Sequence, residues 1–589
     1  MTIRLLAAGL LVAGLAPGAA PRASEGPPAP AGAPRYRTLD DRMVVRRPAS
    51  LEAWRERATY LREHILASAG LLPLPERTPL EPQVFDERKH EDYTVSKVFF
   101  ASRPGFFVTG NLYKPIGPGP FPAVLSPHGH WAYGRLENSA SASVPGRAIN
   151  LARQGFVVFT YDMIGFNDSR QLSHSFGGER ESLWGLTLAG LQIWNGIRSL
   201  DFLESLPEVD RARIGCTGAS GGGTQTFLIA AVDDRVKVAA PVNMISLHMQ
   251  GGCLCENPPG LRLDTDNVEL AATIAPRPLL MVSATGDWTN ETLQLEYPEM
   301  RRFYALLGAE ERVHAVQMQA EHNYNQESRE AVYAWMARWL KGAPADVRVA
   351  ERPFEPDRLR DLLVFFDRPL PAGAVSPAEL TEQWIASAKR QLREGDRRTL
   401  EKALLHALSL EPAPGEGKGR PAVVLASERP ELGEALARAG FTVRRVRFTP
   451  FDADAAAKIS RFETYNRTRA GQRVADLARA LAAAPRAILI ADGEAGLPAL
   501  LALAVSPVTR AIVDVSEFDN SSDQAFLERL YVPGLRRAGD LQTAVSMSTG
   551  PIIVHGAGPR FKLEGPRIEA RRLQVREILE LAKGAPTPP

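Results

Sequence analysis

Short apolar runs alternate with amphipathic stretches between residues 95 and 342. Six runs rich in Val, Ile, Leu and Phe have the length of buried strands: PAVLSPHG, FVVFTYD, ARIGCTG, VKVAAPV, PLLMVSAT and VHAVQMQ. Between them, stretches such as LAGLQIWNGIRSLDFLESL repeat apolar residues at the spacing of a helix. Strands that alternate with helices form crossover units, so this pattern predicts an α/β fold whose mainly parallel sheet is buried on both faces. Functional residues are then expected at the carboxyl ends of the strands.

One of these runs leads into a glycine cluster that holds a serine. The sequence IGCTGASGGGTQTFLIAAV places Ser220 where a buried strand turns into a helix, which is the setting of a nucleophile elbow. Asp287 follows the run PLLMVSAT, and His322 follows the run VHAVQMQ. A serine nucleophile needs an imidazole base and a carboxylate that orients the imidazole, and α/β-hydrolases carry them in the order Ser, Asp, His. We therefore predict a triad of Ser220, Asp287 and His322, with Glu256 in CLCEN as the reserve acid.

Backbone N–H groups beside the serine are the predicted oxyanion hole. One donor is Gly221, at the start of the helix that follows Ser220, and the other is His130 in the loop VLSPHGHW. The side chains of His128 and His130 are expected to pack or to line the pocket, because the backbone alone supplies the donors.

Five motifs at these positions resemble known ones: PHGHW, YDMIGFNDS, GASGGG, SATGDW and EHNYN. They resemble the acetylxylan-esterase and dienelactone-hydrolase side of the α/β-hydrolase superfamily over residues 95–342. The resemblance implies an α/β-hydrolase fold and a serine hydrolase of carboxylic esters, with no metal or organic cofactor. By this resemblance Ser220 is the nucleophile, Asp287 the acid and His322 the base. Gly221 and His130 are the two oxyanion donors. The chain departs from the pattern at Gly221, where acetylxylan esterases usually carry glutamine, and at Ser220, where dienelactone hydrolases usually use cysteine.

Two excursions of the chain are predicted to carry substrate specificity. Residues 163–190 and residues 245–272 each leave the sheet after a strand and would lie over the nucleophile. Their polar residues suit a hydroxyl-rich substrate better than a lipid. Three tryptophans are candidates to stack on a sugar ring, with packing as the alternative role: Trp131, Trp184 and Trp288.

The N-terminal stretch is typical of a secretory signal. The sequence MTIRLLAAGLLVAGLAPGAAPRASEG has one cation before an apolar run and small residues after it, and the run is too short to span a bilayer. We predict a signal peptide at residues 1–23 and a mature protein in the periplasm or outside the cell. Residues 24–94 are expected to form an N-terminal cover, and YTVSKVFFASRPGFFVTGNLYKP to form antiparallel strands at the sheet edge.

The C-terminal half repeats the pattern of the first half in reduced form. After a Pro-rich linker at residues 343–375, the segments PAVVLASERPELGEALARAGF and APRAILIADGEAGLPALLALAVSPVTRAIVDVS parallel segments around the first and third strands of the first half. Aligning the two halves sets Ala495 opposite Ser220. We predict that residues 376–589 form a degenerate hydrolase-like domain without a triad, and an unrelated α/β domain is the alternative.

Composition narrows the class of function. With 44% hydrophobic and 23% charged residues, the chain is too apolar to be disordered. A formal net charge of +2 argues against a nucleic-acid binder, which needs a concentrated excess of Lys and Arg. Three cysteines do not make a disulfide scaffold, although Cys216 could pair with Cys253 or Cys255. Their spacing, with no histidine pair expected nearby, argues against a zinc site.

Together these features predict an exported serine esterase whose substrate is an ester of a small molecule or polysaccharide, with acetyl groups on a polysaccharide favoured. Three alternatives are a serine peptidase of prolyl-oligopeptidase type, an esterase for methyl esters of uronic acids, and a non-catalytic carbohydrate-binding protein. The triad alone does not choose between an ester and an amide, because the same side chains cleave both. No nucleic-acid partner and no membrane-bound mature form are expected, and the oligomeric state is left open.

Overall fold

The structure is a computed structural model that describes residues 35–411 and 422–584 of the chain. The predicted signal peptide at residues 1–23 lies outside this part. Within the described ranges, no helix is both long enough and apolar enough to cross a lipid bilayer.

A nine-stranded mixed sheet forms the first half of the molecule. Its strands are β1 (Gln83–Lys89), β2 (Tyr93–Arg103), β3 (Phe106–Pro115), β4 (Phe121–Leu125), β5 (Val157–Tyr161), β6 (Val209–Ala219), β7 (Val236–Val242), β8 (Leu279–Ala284) and β9 (Val313–Met318). They lie in the order β1-β2-β3-β5-β4-β6-β7-β8-β9. Strands β4 to β9 are the six apolar runs and pair in parallel, while β1, β2 and β3 form the antiparallel edge. The predicted α/β fold is confirmed.

Helices cover both faces of this sheet. They are α1 (Leu51–Ser68), α2 (Val144–Arg153), α3 (Glu179–Leu183), α4 (Leu188–Ser205), α5 (Gly221–Val232), α6 (Asn267–Ala272), α7 (Glu296–Leu306) and α8 (Gln326–Lys341). On one face, Ile149 of α2 and Met336 of α8 belong to the core; on the other, Trp194 of α4 and Phe227 of α5 do. Because both faces are buried, the central strands read as nearly continuous apolar runs.

The predicted linker at residues 343–375 packs against the first half. Arg135 is fully buried between the carboxylates of Asp162 and Asp168, to which it donates hydrogen bonds of 2.9 and 2.8 Å, and it also donates to the carbonyl of Leu362 at 3.1 Å. A second hydrogen bond between this segment and the first half runs from the backbone N–H of Val364 to Asp168, at 2.8 Å. The short helix α9 (Leu359–Leu362) is thereby fixed to a buried charge cluster, so this segment packs as part of the first half.

A second sheet lies in the C-terminal half and repeats the strand order of the first. Its strands are β10 (Val423–Ala426), β11 (Val443–Arg445), β12 (Ile488–Ala491), β13 (Arg510–Asp514), β14 (Ile552–His555) and β15 (Arg567–Ile568). They lie in the order β11-β10-β12-β13-β14-β15, all parallel, which matches the order β5-β4-β6-β7-β8-β9. The helices of this half are α10 (Pro377–Glu394), α11 (Arg397–Leu408), α12 (Pro430–Arg438), α13 (Ala453–Ala457), α14 (Phe462–Tyr465), α15 (Arg469–Ala482), α16 (Gly496–Ala502), α17 (Asp523–Arg529), α18 (Asp540–Met547) and α19 (Val575–Ala582).

The position that corresponds to Ser220 in this second half holds no serine. Ala495 directly precedes α16 as Ser220 directly precedes α5, which is the predicted equivalence. Ser220 also directly follows β6, whereas Asp492 follows β12, so the turn between strand and helix is three residues longer in the second half. The Asp492 carboxylate accepts hydrogen bonds from Ser427 at 2.6 Å and from Arg429 at 2.8 Å, so it is held in place by its neighbours.

The two halves meet in a buried contact around Trp184. The indole N–H of Trp184 donates to Asp523 at 2.9 Å, and its carbonyl accepts from the indole N–H of Trp384 at 2.9 Å. The guanidinium of Arg536 lies 4.8 Å from the centre of the Trp184 ring. Trp184 is 2% exposed, and its indole N–H has a hydrogen-bond acceptor. It therefore joins the two halves both through packing and through hydrogen bonds.

A half-buried carboxyl near this contact makes the stability of the protein depend on pH. Burial raises the pKa of Glu463 from 4.5 to about 7, and the hydroxyl of Tyr531 donates to it at 3.1 Å. Between these two pH values the folded chain binds more protons than the unfolded chain, so the stability falls as the pH rises. We expect the free energy of unfolding to fall by about 1–3 kcal/mol from pH 4.5 to pH 7 through this group, and Glu463→Gln to remove that slope. Chemical denaturation at several pH values measures it, with exposed Glu434→Gln as the control; equal slopes for Glu463→Gln and wild type would contradict the assignment.

Candidate active site

Ser220 occupies a strained turn between β6 and α5. Its backbone has φ 56° and ψ −124°, in a region that side-chain-bearing residues rarely adopt, and its N–H donates to the carbonyl of Val242 at 3.0 Å. A Cβ added at Gly218 would lie 2.4 Å from the carbonyl oxygen of Pro127, so glycine is required beside the turn. The structure thus places the serine at the carboxyl edge of the sheet, where it is partly exposed.

Asp287 and His322 form a hydrogen-bonded pair at the same edge. The Nδ1 atom of His322 lies 2.9 Å from Oδ2 of Asp287, whose side chain is 1% exposed. The second carboxylate oxygen accepts hydrogen bonds from the backbone N–H and the hydroxyl of Thr289. A carboxylate held on both oxygens fixes the imidazole with its proton on Nδ1, which leaves Nε2 free to act as a base.

The three side chains follow β6, β8 and β9, as the sequence predicts. Within the described residues the Ser220 hydroxyl makes no hydrogen bond, with His322 or any other group. Nucleophile and base are often loosely placed in a free enzyme and come into contact when substrate binds. The structure therefore contains the predicted elbow and a hydrogen-bonded Asp287–His322 pair at the same edge of the sheet.

Two backbone N–H groups next to the elbow have no acceptor. Neither the nitrogen of Gly221 nor that of His130 donates to any group in residues 35–411 and 422–584. Gly221 opens α5, so its N–H also lies at the positive end of the helix dipole. The imidazole of His130 packs directly against Gly221, since an added Cβ there would lie 2.5 Å from its Cε1 atom. The two residues predicted to supply oxyanion donors are therefore in contact.

Comparison with known proteins places this architecture in a family. No family model matches the chain. The chain is similar to the Bacillus subtilis (strain 168) protein named "Putative hydrolase YtaP", with 26% identity over 288 residues that cover 45% of this chain and 95% of that protein. It is also 30% identical to the solved structure named "Methylesterase BT1017", which it matches over 58% of this chain and 78% of that chain with a TM-score of 0.47.

The chain has the α/β-hydrolase fold. The predicted resemblance to this superfamily is confirmed, and the similar Bacillus subtilis protein is a hydrolase by name. A further solved structure, "Acetyl xylan esterase from Paenibacillus sp. R4", is 18% identical, with 50% of this chain and 97% of that chain covered and a TM-score of 0.34.

The close packing of Gly221 in this hydrolase gives a prediction. In Gly221→Ala the new Cβ would meet the imidazole of His130 and push the two predicted oxyanion donors apart. We expect kcat for ester hydrolysis to fall by about 10²- to 10³-fold, the usual effect of losing one donor. The control is Gly471→Ala, where the added Cβ comes no closer than 3.4 Å to any of its neighbours, the Thr468 hydroxyl and the Arg467 side chain. A wild-type kcat in Gly221→Ala, at an unchanged melting temperature, would exclude this oxyanion hole.

Two of the three predicted tryptophans flank the imidazole of the hydrolase. Trp288 stacks on His322 with ring centres 4.5 Å apart, and Trp131 stacks on it at 6.4 Å. Both indoles are partly exposed and stay candidates for substrate contact. The prediction that Trp184 could stack on a sugar is wrong, because this residue is buried in the contact between the two halves. The sequence could not separate these roles, because all three residues follow strands or lie in excursions.

Glu256 and His128 have structural roles in the hydrolase. The Glu256 carboxylate accepts from the backbone N–H of Cys253 at 2.9 Å and makes no contact with His322 in the described residues, so the reserve acid is ruled out by its placement. His128 is fully buried, and burial lowers its pKa to about 3. Its Nε2 accepts from the N–H of Met163 at 2.9 Å, which ties the loop VLSPHGHW, called the oxyanion loop after its predicted role, to the start of the first excursion. His128 therefore packs, as the sequence predicts.

Four potential metal ligands meet next to the oxyanion loop. The ligand atoms of four side chains lie within 4.8 Å of one another: His130, His174, Cys253 and Cys255. The expectation that no histidine pair lies near these cysteines is wrong, because the first excursion folds back and brings His174 to His130. Cys216 lies elsewhere, with its thiol 3.7 Å from the Thr226 hydroxyl, and all three cysteines are free thiols. The signal in the sequence was the pair C-x-C itself, within an excursion beside the active site.

Proposed function

We propose that this hydrolase is a serine esterase that cleaves carboxylic esters through Ser220, His322 and Asp287. The observation that carries the proposal is the combination of a strained serine elbow with a buried aspartate bonded to a histidine at the same sheet edge. The relatives named above, a hydrolase and two esterases, support an ester-cleaving enzyme.

The proposed reaction has two halves. In the first, Ser220 Oγ attacks the ester carbonyl while Nε2 of His322 takes its proton, and the oxyanion accepts hydrogen bonds from the N–H groups of Gly221 and His130. The imidazolium, stabilised by Asp287, returns the proton to the departing alkoxide, and the carbon–oxygen bond breaks. In the second half, His322 takes a proton from water, which attacks the acyl-enzyme, and Ser220 leaves with that proton while the carboxylic acid departs.

The favoured substrate is an acetyl ester on a polysaccharide. Trp131 and Trp288 flank the catalytic imidazole and offer flat apolar faces that suit the ring of a sugar. Methyl esters of uronic acids are the second arm of the test, because one of the relatives is a methylesterase by name.

The decisive experiment gives the purified enzyme three substrate classes. Acetylated xylan should release acetate, methyl-esterified polygalacturonate would release methanol, and chromogenic peptides should stay intact. Release of both small products in Ser220→Ala at the wild-type rate would exclude the serine mechanism. Turnover of peptides without turnover of 4-nitrophenyl acetate would establish the peptidase alternative, and sugar binding without any turnover would establish a carbohydrate-binding protein.

We also propose that the enzyme is exported. The support is the charged start, apolar run and small residues of the first 23 positions. Expression of the full chain and of a chain lacking residues 2–23 tests this: the full chain should appear in the periplasm or medium with a shortened N-terminus, and the shortened chain should stay in the cytoplasm. Equal distribution of both would contradict export.

We propose that the C-terminal half is a degenerate hydrolase domain that supports the first. Its strand order repeats that of the first sheet, and Ala495 precedes α16 where Ser220 precedes α5, so the nucleophile is missing. If the halves form one cooperative unit, Trp184→Ala should destabilise the whole protein by about 3–5 kcal/mol, because the variant leaves a cavity between them. Calorimetry should show one unfolding transition in wild type and in Trp184→Ala, at a lower temperature in the variant. The control is Trp339→Ala, which removes a partly buried tryptophan of α8. If Trp184→Ala instead shows two transitions, and the transition of the first half keeps its wild-type temperature, the two halves are not one cooperative unit.

A further inference from the structure

We propose that this chain carries a structural zinc ion bound by His130, His174, Cys253 and Cys255. The Nε2 atoms of the two histidines lie 3.2 Å apart, and Nε2 of His130 also lies 3.2 Å from Sγ of Cys255. All four ligand atoms, one from each side chain, fit within 4.8 Å of one another. Two imidazoles and two thiols are a complete ligand set for tetrahedral zinc.

The distances fit an ion at the centre of the cluster. With zinc–nitrogen bonds of about 2.05 Å and zinc–sulfur bonds of about 2.3 Å, tetrahedral angles place two nitrogens about 3.3 Å apart and nitrogen and sulfur about 3.6 Å apart. The two separations of 3.2 Å that involve His130 are close to these values. The remaining ligand atoms lie within 4.8 Å of one another and would move closer together on binding the ion.

Supporting contacts orient the ligands toward the centre. Nδ1 of His174 lies 2.6 Å from the carbonyl oxygen of Ile164 and can only donate there, so its proton is on Nδ1 and the lone pair of Nε2 points into the cluster. The cysteine loop is fixed by Asn257, whose side-chain amide donates to the carbonyl of Cys253 at 2.8 Å. Ligating histidines in metal proteins usually have this kind of partner on the second ring nitrogen.

Nε2 of His130 faces two other members of the cluster at once. Because Nε2 of His174 is an acceptor, the facing Nε2 of His130 must carry a proton to bond it. That single proton then serves both His174 and the sulfur of Cys255, each at 3.2 Å. A divalent cation accepts electron pairs from all the ligands at once, which removes this competition.

The site would join three segments that surround the elbow. His130 lies in the oxyanion loop, His174 in the first excursion and the two cysteines in the second, and the His130 imidazole touches Gly221. Four protein ligands leave no open position, so the ion would hold these segments in place and would not activate water. Its effect on catalysis rests on the proposed esterase function, while its existence does not.

Metal analysis of the purified full chain tests the proposal. Wild type from zinc-supplemented medium should contain about one zinc per chain, and X-ray absorption should give two sulfur and two nitrogen neighbours. We expect at least about nine-tenths of the metal to be lost in two variants, because each removes ligands of a four-coordinate site. One is the double variant Cys253→Ser, Cys255→Ser, and the other is the single variant His174→Ala. Cys216→Ala and His314→Ala, which alter a thiol and an imidazole outside the cluster, should keep it.

A second measurement covers variants that fail to fold. Zinc is removed from wild type with a chelator and replaced by Co²⁺, which should give a thiolate-to-cobalt charge-transfer band and restore the melting temperature. Ser220→Ala should keep full zinc while losing hydrolysis, so failure of the esterase proposal is distinguishable from failure of this one. Wild type without zinc or a cobalt band, unchanged zinc in the ligand variants, or a disulfide between Cys253 and Cys255 would each overturn the site.

Discussion

Ser220→Ala is expected to lower kcat for ester hydrolysis by about 10⁴- to 10⁶-fold, with KM changed little. The hydroxyl is the group that forms the acyl-enzyme, so its loss leaves only the oxyanion donors and substrate binding to act on bound water. The strained backbone is the same for alanine and serine, so the melting temperature should stay near that of wild type. Steady-state kinetics with 4-nitrophenyl acetate and acetylated xylan measures the effect.

The matched control for this prediction is Ser141→Ala. Ser141 is exposed, and the loop that carries it also contacts the region of His322, since its carbonyl accepts from the N–H of Tyr324 at 2.7 Å. Alanine keeps that backbone contact, so kcat should not change. A loss of less than about tenfold in Ser220→Ala would mean that another group is the nucleophile, because no other part of this mechanism can replace the hydroxyl.

Asp287→Asn is expected to lower kcat by about 10⁴-fold while leaving the fold intact. The carboxylate accepts the Nδ1 proton of His322 at 2.9 Å and also bonds Thr289. An amide in its place can present its NH₂ group to Nδ1, which favours the tautomer with the proton on Nε2 and removes the base. It also loses the charge that stabilises the imidazolium in the transition state.

The control for the aspartate is Glu321→Gln. Glu321 precedes His322 and lies beside Gly286, so it is the nearby acid that a general charge effect would involve, yet it makes no hydrogen bond with the imidazole in the described residues. Its kcat should stay within about twofold of wild type, as for surface charges generally. An equal loss of activity in both variants would contradict the specific role of Asp287.

The fold could be predicted from sequence because its signals are local. Each of the strands β4 to β9 is a continuous apolar run, since both faces of the sheet are covered, and each of Ser220, Asp287 and His322 directly follows one of these strands or lies a few residues beyond it. Carboxyl ends of parallel strands meet at one edge, so their loops could be brought together without coordinates. The roles of these three residues stay predictions until activity is measured.

Features that depend on how loops fold could not be predicted in the same way. His174 lies 44 residues from His130, in an excursion without periodicity, and only the folded loop brings the imidazoles together. Trp184 was one of three similar candidates, and its burial depends on the C-terminal half. The segment of residues 343–375 is rich in proline and so is typical of a linker, but Arg135 and Asp168 bind its backbone.

Labelling with a fluorophosphonate, followed by mass spectrometry of the peptides, tests whether Ser220 is the nucleophile. We expect one label per chain, on Ser220, with labelling lost in Ser220→Ala and slowed by orders of magnitude in His322→Ala, in parallel with ester hydrolysis. Two results would contradict this assignment: an enzyme that stays unlabelled by the probe while it hydrolyses esters, or loss of activity through a label on a residue other than Ser220.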